Sequence, residues 1–429
     1  MPKFTKSRGL TRSEQILAEI CERSFLSLWS YANLFKKSGE ELCDLLVVFG
    51  DILIIFSDKS CDYKQTSVPE IGWKRWYKRS VLKSAHQARQ AERWIRTYPN
   101  WVFLDSQCSQ QLPLAVPENP TRIFRICVVS GGCPFEFATN AHPDEQMGII
   151  GRADEGEGWV HVIDGQQLLL LLTELSTVGD FVDYLEKKEA SIHDRSLIWA
   201  GSELAIAAYF VRSNRALPAA PCGLCLPHGL WEALVAHPQH KFRVQRDKLS
   251  EIWDYLIERV VGYFVASELE DGSEIQTADF EKMMRFMARE RRFPRRVLSR
   301  WIFERLERAT VERMEIGSFL PSSFSDLVYV LLVDTGSSRE EHDEYRRSRR
   351  QKLSLRCHAI KCVVPSTRFV MGIALDASRG RGGSEDFMLI DTIEWTDEDF
   401  SLAETMRQDL NYFVNGVQSR LTENEYPDD

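Results

Sequence analysis

A β-hairpin between residues 41 and 59 constrains the fold of this chain more than any other segment. Two runs of Val, Leu, Ile and Phe flank the turn pair Gly50-Asp51, which is typical of antiparallel strands joined by a tight turn. The runs are continuous rather than alternating, which predicts strands buried on both faces. Because the two ends of a hairpin meet, charged residues from both ends are expected to lie together. They are Glu41, Asp44, Asp58 and Lys59.

These charges predict a site for a metal ion and a phosphate. Phosphodiester hydrolysis needs cations that neutralise the developing charge, and Mg²⁺ held by one or two carboxylates commonly supplies them. Asp44 is the expected main ligand, Glu41 and Asp58 are possible further ligands, and Lys59 is suited to orient water or hold the scissile phosphate. Mn²⁺ is an alternative ion. The competing interpretation is an ordinary edge hairpin whose end charges are solvated.

Two helices are expected around the hairpin. Thr11 and Glu14 have the spacing of a capping box, which predicts a helix up to about Tyr31 and makes Glu14 a cap rather than a catalyst. A second, basic helix is predicted from Trp73 to Tyr98, before Pro99. Its candidate nucleic-acid contacts are Lys74, Arg75, Lys78, Arg79, Lys83 and Arg89. Basic and aromatic residues together suit a nucleic-acid strand, whereas an amphipathic core helix with a solvated basic face is the alternative.

The predicted order of a helix, a hairpin with charged ends and a basic helix resembles the PD-(D/E)XK nuclease superfamily. The resemblance covers the N-terminal region up to about residue 130. In that superfamily an acidic residue opens one strand, an acid-x-Lys triplet lies on the next, and a polar residue of the following helix often faces the site. The resemblance implies that Asp44 is the first acid, that Lys59 is the lysine and that Gln87 is the polar helical residue. It also implies a metal-dependent nuclease, with DNA favoured, and a role in prokaryotic defence or DNA processing.

The triplet departs from the superfamily pattern, because Ser57 occupies the expected acid position in Ser57-Asp58-Lys59. Strand alternation places Ser57 and Lys59 on one face and Asp58 on the other, unless a bulge redirects Asp58. Three alternatives follow. Asp58 enters through a bulge, Glu41 supplies the missing carboxylate, or the site has lost metal binding and the protein is a nuclease-like binding or scaffolding protein.

The whole chain is expected to be an α/β protein of three parts. Residues 1–140 form a restriction-endonuclease-like domain with a mixed sheet flanked by helices, residues 141–315 a mainly helical region, and residues 316–429 a C-terminal α/β domain. Strands are predicted within the last part at 327–333, 359–364 and 369–375, with a charged helix at 339–355. Two further arginine-rich segments, around residues 289–300 and 346–350, favour solvated helix faces, although the first could track phosphates.

Composition limits the partners and the location. The 429 residues carry a formal net charge of −9, which does not by itself suggest a nucleic-acid partner. The prediction of such a partner therefore depends on the local positive charge of the second helix. No signal peptide or membrane-length apolar run is recognisable, and the ten cysteines are scattered. We therefore expect a cytoplasmic protein with reduced thiols and no membrane partner. A homo-oligomer or a protein partner stays open.

Overall fold

The computed structural model describes residues 4–64, 66–130, 159–218, 223–269, 275–335, 342–377, 383–414 and 423–426. The chain forms two compact units. The N-terminal unit comprises Met1–Lys241 and Leu256–Arg291, and the C-terminal unit comprises Phe242–Tyr255 and Arg292–Asp429. The segment 141–315 that the sequence suggests as one region contributes to both units.

A five-stranded mixed sheet organises the N-terminal unit. Its strands are β1 (Ser30–Lys37), β2 (Glu40–Phe49), β3 (Ile52–Ser60), β4 (Arg122–Ser130) and β5 (His161–Asp164), in that spatial order. The first three strands are antiparallel neighbours, whereas β4 is parallel to β3 and β5 is parallel to β4. The hairpin prediction is confirmed, since β2 pairs with β3 around the Gly50-Asp51 turn. Leu42 to Asp58 are buried except at that turn, so both faces are covered.

Helices flank this sheet. Thr11 caps helix α1 (Arg12–Phe25), and the predicted capping box with Glu14 is confirmed. The helix ends at Phe25 and not near Tyr31, which lies in β1. Between β3 and β4 lie α2 (Pro69–Tyr77) and α3 (Lys83–Thr97), joined without a break by a π-helical segment, Lys78–Leu82. We call residues 69–97 the basic helix.

The elements that follow β5 are mostly helical and include one small parallel pair of strands. The helices are α4 (Gly165–Glu174), α5 (Val178–His193), α6 (Glu203–Arg212), α7 (Leu230–Ala236), α8 (Pro238–Asp247), α9 (Glu251–Ala266) and α10 (Thr277–Ala288). The paired strands are β6 (Leu197–Ala200) and β7 (Leu224–Leu226). The division between the two units falls within α8 and α9.

The C-terminal unit contains a second mixed sheet with the spatial order β11-β10-β9-β8. Its elements are α11 (Arg292–Glu312), β8 (Ile316–Pro321), β9 (Leu327–Asp334), α12 (His342–Val363), β10 (Phe369–Asp376), β11 (Glu385–Asp391) and α13 (Asp397–Asp409). Strands β9 and β10 are parallel and are connected through α12. The chain is thus an α/β protein with mixed sheets flanked by helices.

The expected strand at residues 359–364 is wrong, because α12 extends to Val363. Leu353, Cys357 and Ile360 have helical spacing and pack on the strands of the second sheet. The apolar run is therefore the buried face of a helix. In the parts of the chain that the structure describes, no helix combines the length and apolar character needed to cross a bilayer.

Candidate functional site

The charged residues of the hairpin lie where β2 and β3 separate. Their pairing runs from Phe49 with Ile52 to Leu45 with Phe56 and ends there. One residue further on, Oδ2 of Asp44 accepts a hydrogen bond from the backbone N–H of Asp58 at 2.5 Å. The Asp44 side chain thus bonds to the backbone of β3 beyond the last pair of the ladder. We call this end of the hairpin, with Glu41, Asp44, Asp58 and Lys59, the charged corner.

Asp44 is the most perturbed carboxyl of the charged corner. Its residue is only 3% exposed, and burial raises its pKa to about 6. The positive charge of Lys59 and the N–H of Asp58 lower the pKa, whereas the negative charges of Glu41 and Glu14 raise it. A buried carboxyl with a cation and two further carboxyls near it is typical of a functional site, although structural networks produce similar shifts.

Asp58 faces α1. It is 8% exposed, and burial raises its pKa, while a hydrogen bond from Ser13 at the start of α1 lowers it. Its Oδ1 is buried and has no hydrogen-bond partner among the described residues. Hydrogen bonds normally offset the cost of burying such an oxygen. Asp58 is therefore held beside α1 with one carboxylate oxygen unsatisfied.

Ser57 faces the opposite side, toward α3. Its hydroxyl donates to Oε1 of Gln87 at 3.2 Å, and its carbonyl accepts from the Ser84 hydroxyl at 2.8 Å. Side chains of neighbouring strand residues point to opposite faces, and β3 pairs with β4 without a register shift from Ile52 to Ser60. The described pairing therefore contains no bulge that would turn Asp58 toward Gln87.

Glu41 belongs to a network that the sequence did not reveal. Asn33 Nδ2 donates to Glu41 Oε1 at 3.1 Å and to Glu14 Oε2 at 2.9 Å. Burial raises the pKa of Glu14, but hydrogen bonds from Asn33 and from the backbone N–H groups of Leu10 and Thr11 outweigh it, so the pKa is lowered. Asn33 is buried and has a φ of 49°. A left-handed backbone is uncommon for a residue other than glycine, although asparagine adopts it more readily than most. In this conformation the Asn33 side chain bridges Glu14 and Glu41.

The three carboxylates that are expected to hold magnesium each have a different contact in the structure. Among the described residues, no group of three or more His, Cys, Asp or Glu side chains is placed to hold one metal ion. Glu41 contacts Asn33, Asp44 contacts the Asp58 backbone, and the Asp58 side chain meets α1. The carboxylates of Glu41, Asp44 and Asp58 therefore do not converge on one point where a metal ion could bind all three. The metal ion remains a prediction.

The basic helix carries most of its predicted contact residues on its surface. Lys74, Arg75, Lys78, Arg79 and Lys83 are exposed, and none forms an ion pair within the described ranges. Arg89 differs from them, since it is 7% exposed. Trp73 and Trp76 are also buried, stacked on each other with ring centroids 5.3 Å apart. These two tryptophans pack in the core and are not available to stack on bases.

Arginines of the other two arginine-rich segments form ion pairs within the C-terminal unit. Arg292 and Arg295 both bind Asp254, at 2.5 and 2.6 Å. Arg346 and Arg349 both bind Asp386, at 2.7 and 2.5 Å. Their common partner Asp386 lies on β11, so these two arginines are not simply part of a solvated helix face. Neither segment presents the open cationic face that the basic helix does.

The charged corner can attract a phosphate and exchange a proton. Lys59 is half-buried and carries a positive charge near Asp44. A carboxyl with a pKa of about 6 can change protonation near neutral pH. Gln87 of the basic helix contacts Ser57, the strand neighbour of Asp58, on the face of the sheet opposite to the Asp58 side chain. Comparison with models of protein families, with curated proteins and with solved structures finds no match to this chain.

Proposed function

We propose that the N-terminal unit binds nucleic acid, with DNA favoured, along the exposed side of the basic helix. The observation that supports this proposal is the set of five exposed cations at residues 74–83, for which the described residues provide no carboxylate partner. Phosphate groups are the natural counterions of such a surface, because binding releases the salt ions condensed on the nucleic acid.

The overall charge of −9 does not oppose this proposal. Exposed charges further apart than about 8 Å are largely screened at physiological salt. A local group of five cations therefore attracts a polyanion even on an acidic protein. The negative remainder is expected to make the interaction weak and strongly dependent on salt.

The test is fluorescence anisotropy with a labelled duplex and a labelled single strand over a range of salt concentrations. The double variant Lys78→Gln with Arg79→Gln should lose two phosphate contacts. The plot of the logarithm of the association constant against the logarithm of the salt concentration should then be less steep by about 1.8 for duplex DNA. The matched control is Lys241→Gln with Arg313→Gln, which removes one exposed lysine and one exposed arginine elsewhere. Equal slopes for the two double variants would contradict the proposal.

A second candidate function is hydrolysis of the bound phosphodiester, which the neighbouring Asp44 and Lys59 favour. The resemblance of the N-terminal region to the PD-(D/E)XK nucleases supports it, and so does the order of a helix, a hairpin and a basic helix. A role in defence or DNA processing rests on that resemblance alone. The serine at position 57 and the separate surroundings of Glu41, Asp44 and Asp58 favour a nuclease-like protein that binds without cleaving.

Cleavage assays separate these candidates. Plasmid, linear and single-stranded DNA, and RNA, are incubated with the protein and Mg²⁺ or Mn²⁺. An enzyme should cleave at least one substrate, and Lys59→Ala should abolish cleavage while leaving binding largely intact. If wild type binds but leaves every substrate unchanged with both ions, the binding function stands and hydrolysis is excluded under these conditions.

A further inference from the structure

Three aromatic residues form an exposed cluster at the C-terminal end of the basic helix. Tyr98 is 47% exposed and Trp101 is 58% exposed, while Trp94 is half-buried beside them. The rings of Trp94 and Tyr98 are 4.7 Å apart between centroids. We call Trp94, Tyr98 and Trp101 the aromatic platform.

The backbone beneath the aromatic platform is firmly held. The N–H of Trp101 donates to the Tyr98 carbonyl at 3.0 Å, and the indole N–H of Trp94 donates to the Trp101 carbonyl at 2.9 Å. Two residues later, Phe103 exchanges two hydrogen bonds of 2.9 Å with Phe35 of β1. The large side chain of Trp101 is thus presented to solvent from a fixed backbone, which reduces the entropy that a ligand must remove on binding.

Cations accompany these rings. The ammonium group of Lys37 lies 5.4 Å from the centre of the Trp94 ring, within the range of a cation–π contact. Arg93 is exposed one residue before Trp94. Exposed residues recur along the same helix from Lys83 through Gln90 to Arg93, so the surface that begins with the five cations continues to the aromatic platform. This charge pattern suits a polyanion that also offers flat rings.

We infer that the aromatic platform stacks on unpaired bases of a single-stranded nucleic acid whose phosphates follow the cations of the basic helix. Every base has a π-face, so such stacking is tolerant of sequence. In a duplex the faces of the bases are already stacked on each other, so only single strands or frayed ends can use the platform. This inference rests on the proposed function and assigns it a substrate class.

The test compares a labelled thymidine oligonucleotide with a duplex of the same length in the anisotropy assay. Trp101→Ala should weaken single-strand binding by about 5- to 100-fold, because one lost base–aromatic stack has this effect. Duplex binding should stay within about twofold of wild type. Trp101→Phe should restore most of the loss, since it returns an aromatic face. The matched control is Phe303→Ala, which removes an exposed ring from the C-terminal unit.

The possible failures are distinguishable. If wild type binds both nucleic acids and Trp101→Ala binds the single strand as wild type does, the platform is excluded and the proposed function survives. An equal loss on duplex and single strand would also exclude stacking on unpaired bases. If wild type binds neither nucleic acid, both the proposed function and this inference fail. An unchanged melting temperature of Trp101→Ala, expected for so exposed a ring, establishes that the variant is folded.

Discussion

Replacing Asp44 by asparagine should stabilise the protein increasingly as the pH rises. Burial raises the pKa of Asp44 from 3.8 to about 6, so the folded protein holds this proton more tightly than the unfolded chain does. The free energy of unfolding of wild type therefore falls as the pH rises between these two values. The full shift corresponds to about 3 kcal/mol. The variant Asp44→Asn has no such proton to lose, and its side-chain carbonyl can still accept the hydrogen bond from the Asp58 N–H.

The assay is urea unfolding of wild type and Asp44→Asn, followed by tryptophan fluorescence between about pH 4.5 and about pH 7.5. Over this range the free energy of unfolding of the variant should rise relative to wild type by about 2 kcal/mol, since part of the shift lies below the lower limit. Asp62→Asn makes the same chemical change at an exposed position and should show no such trend. A difference for Asp44→Asn that is constant or shrinks with pH would refute the reasoning.

The same two proteins also test the metal prediction without any cleavage. A divalent cation bound at Asp44 would favour the ionised carboxylate and lower its pKa. Mg²⁺ or Mn²⁺ should then stabilise wild type at about pH 7.5 and leave Asp44→Asn unaffected. If the ions change neither protein, Asp44 is not a metal ligand in the free protein.

Three further substitutions test the turn of the hairpin and one buried ion pair in each unit. Gly50→Ala should destabilise by about 1 kcal/mol in urea unfolding, because Gly50 has a φ of 59° and an added Cβ would meet the Arg285 side chain. Glu203→Gln should cost about 3 to 5 kcal/mol, since it leaves the fully buried Lys188, now 2.6 Å from the Glu203 carboxylate, without its counterion. Arg349→Met should destabilise by a similar amount, about 3 kcal/mol or more, because it removes a buried partner of Asp386, whereas the exposed Arg347→Met in the same helix should change little.

The elements that could be predicted from the sequence are those whose signals are local. The hairpin combines a turn pair with two long apolar runs, and the start of α1 is set by two residues three positions apart. The basic helix has a clear boundary near Pro99, and it ends at Thr97. The alternation of side chains along β3 also predicted that Ser57 and Asp58 lie on opposite faces of the sheet. Their contacts confirm this, since Ser57 bonds to Gln87 of α3 and Asp58 to Ser13 of α1.

Other elements could not be predicted because their sequence signals are ambiguous. Residues 359–364 are rich in β-branched and small apolar side chains, yet helical packing against the second sheet decides their structure. Trp101–Leu104 has the composition of a strand, but it forms only isolated β-bridges at Phe103. The role of Asn33 was not visible either, since its partners Glu14 and Glu41 come from two different elements.

The charged surface shows most clearly why the candidate site needs the structure. The three basic segments look alike in sequence, but two of them find carboxylates far along the chain, such as Asp254 for Arg295 and Asp386 for Arg349. No local pattern predicts those partners, because they are brought together by packing around the second sheet. The basic helix lacks such partners for its five exposed cations within the described residues, and its tryptophans at 73 and 76 pack inward instead of facing the solvent. Among the described residues its cations are therefore the ones left to bind a polyanion, and the single strand that we propose would extend from them to the exposed ring of Trp101.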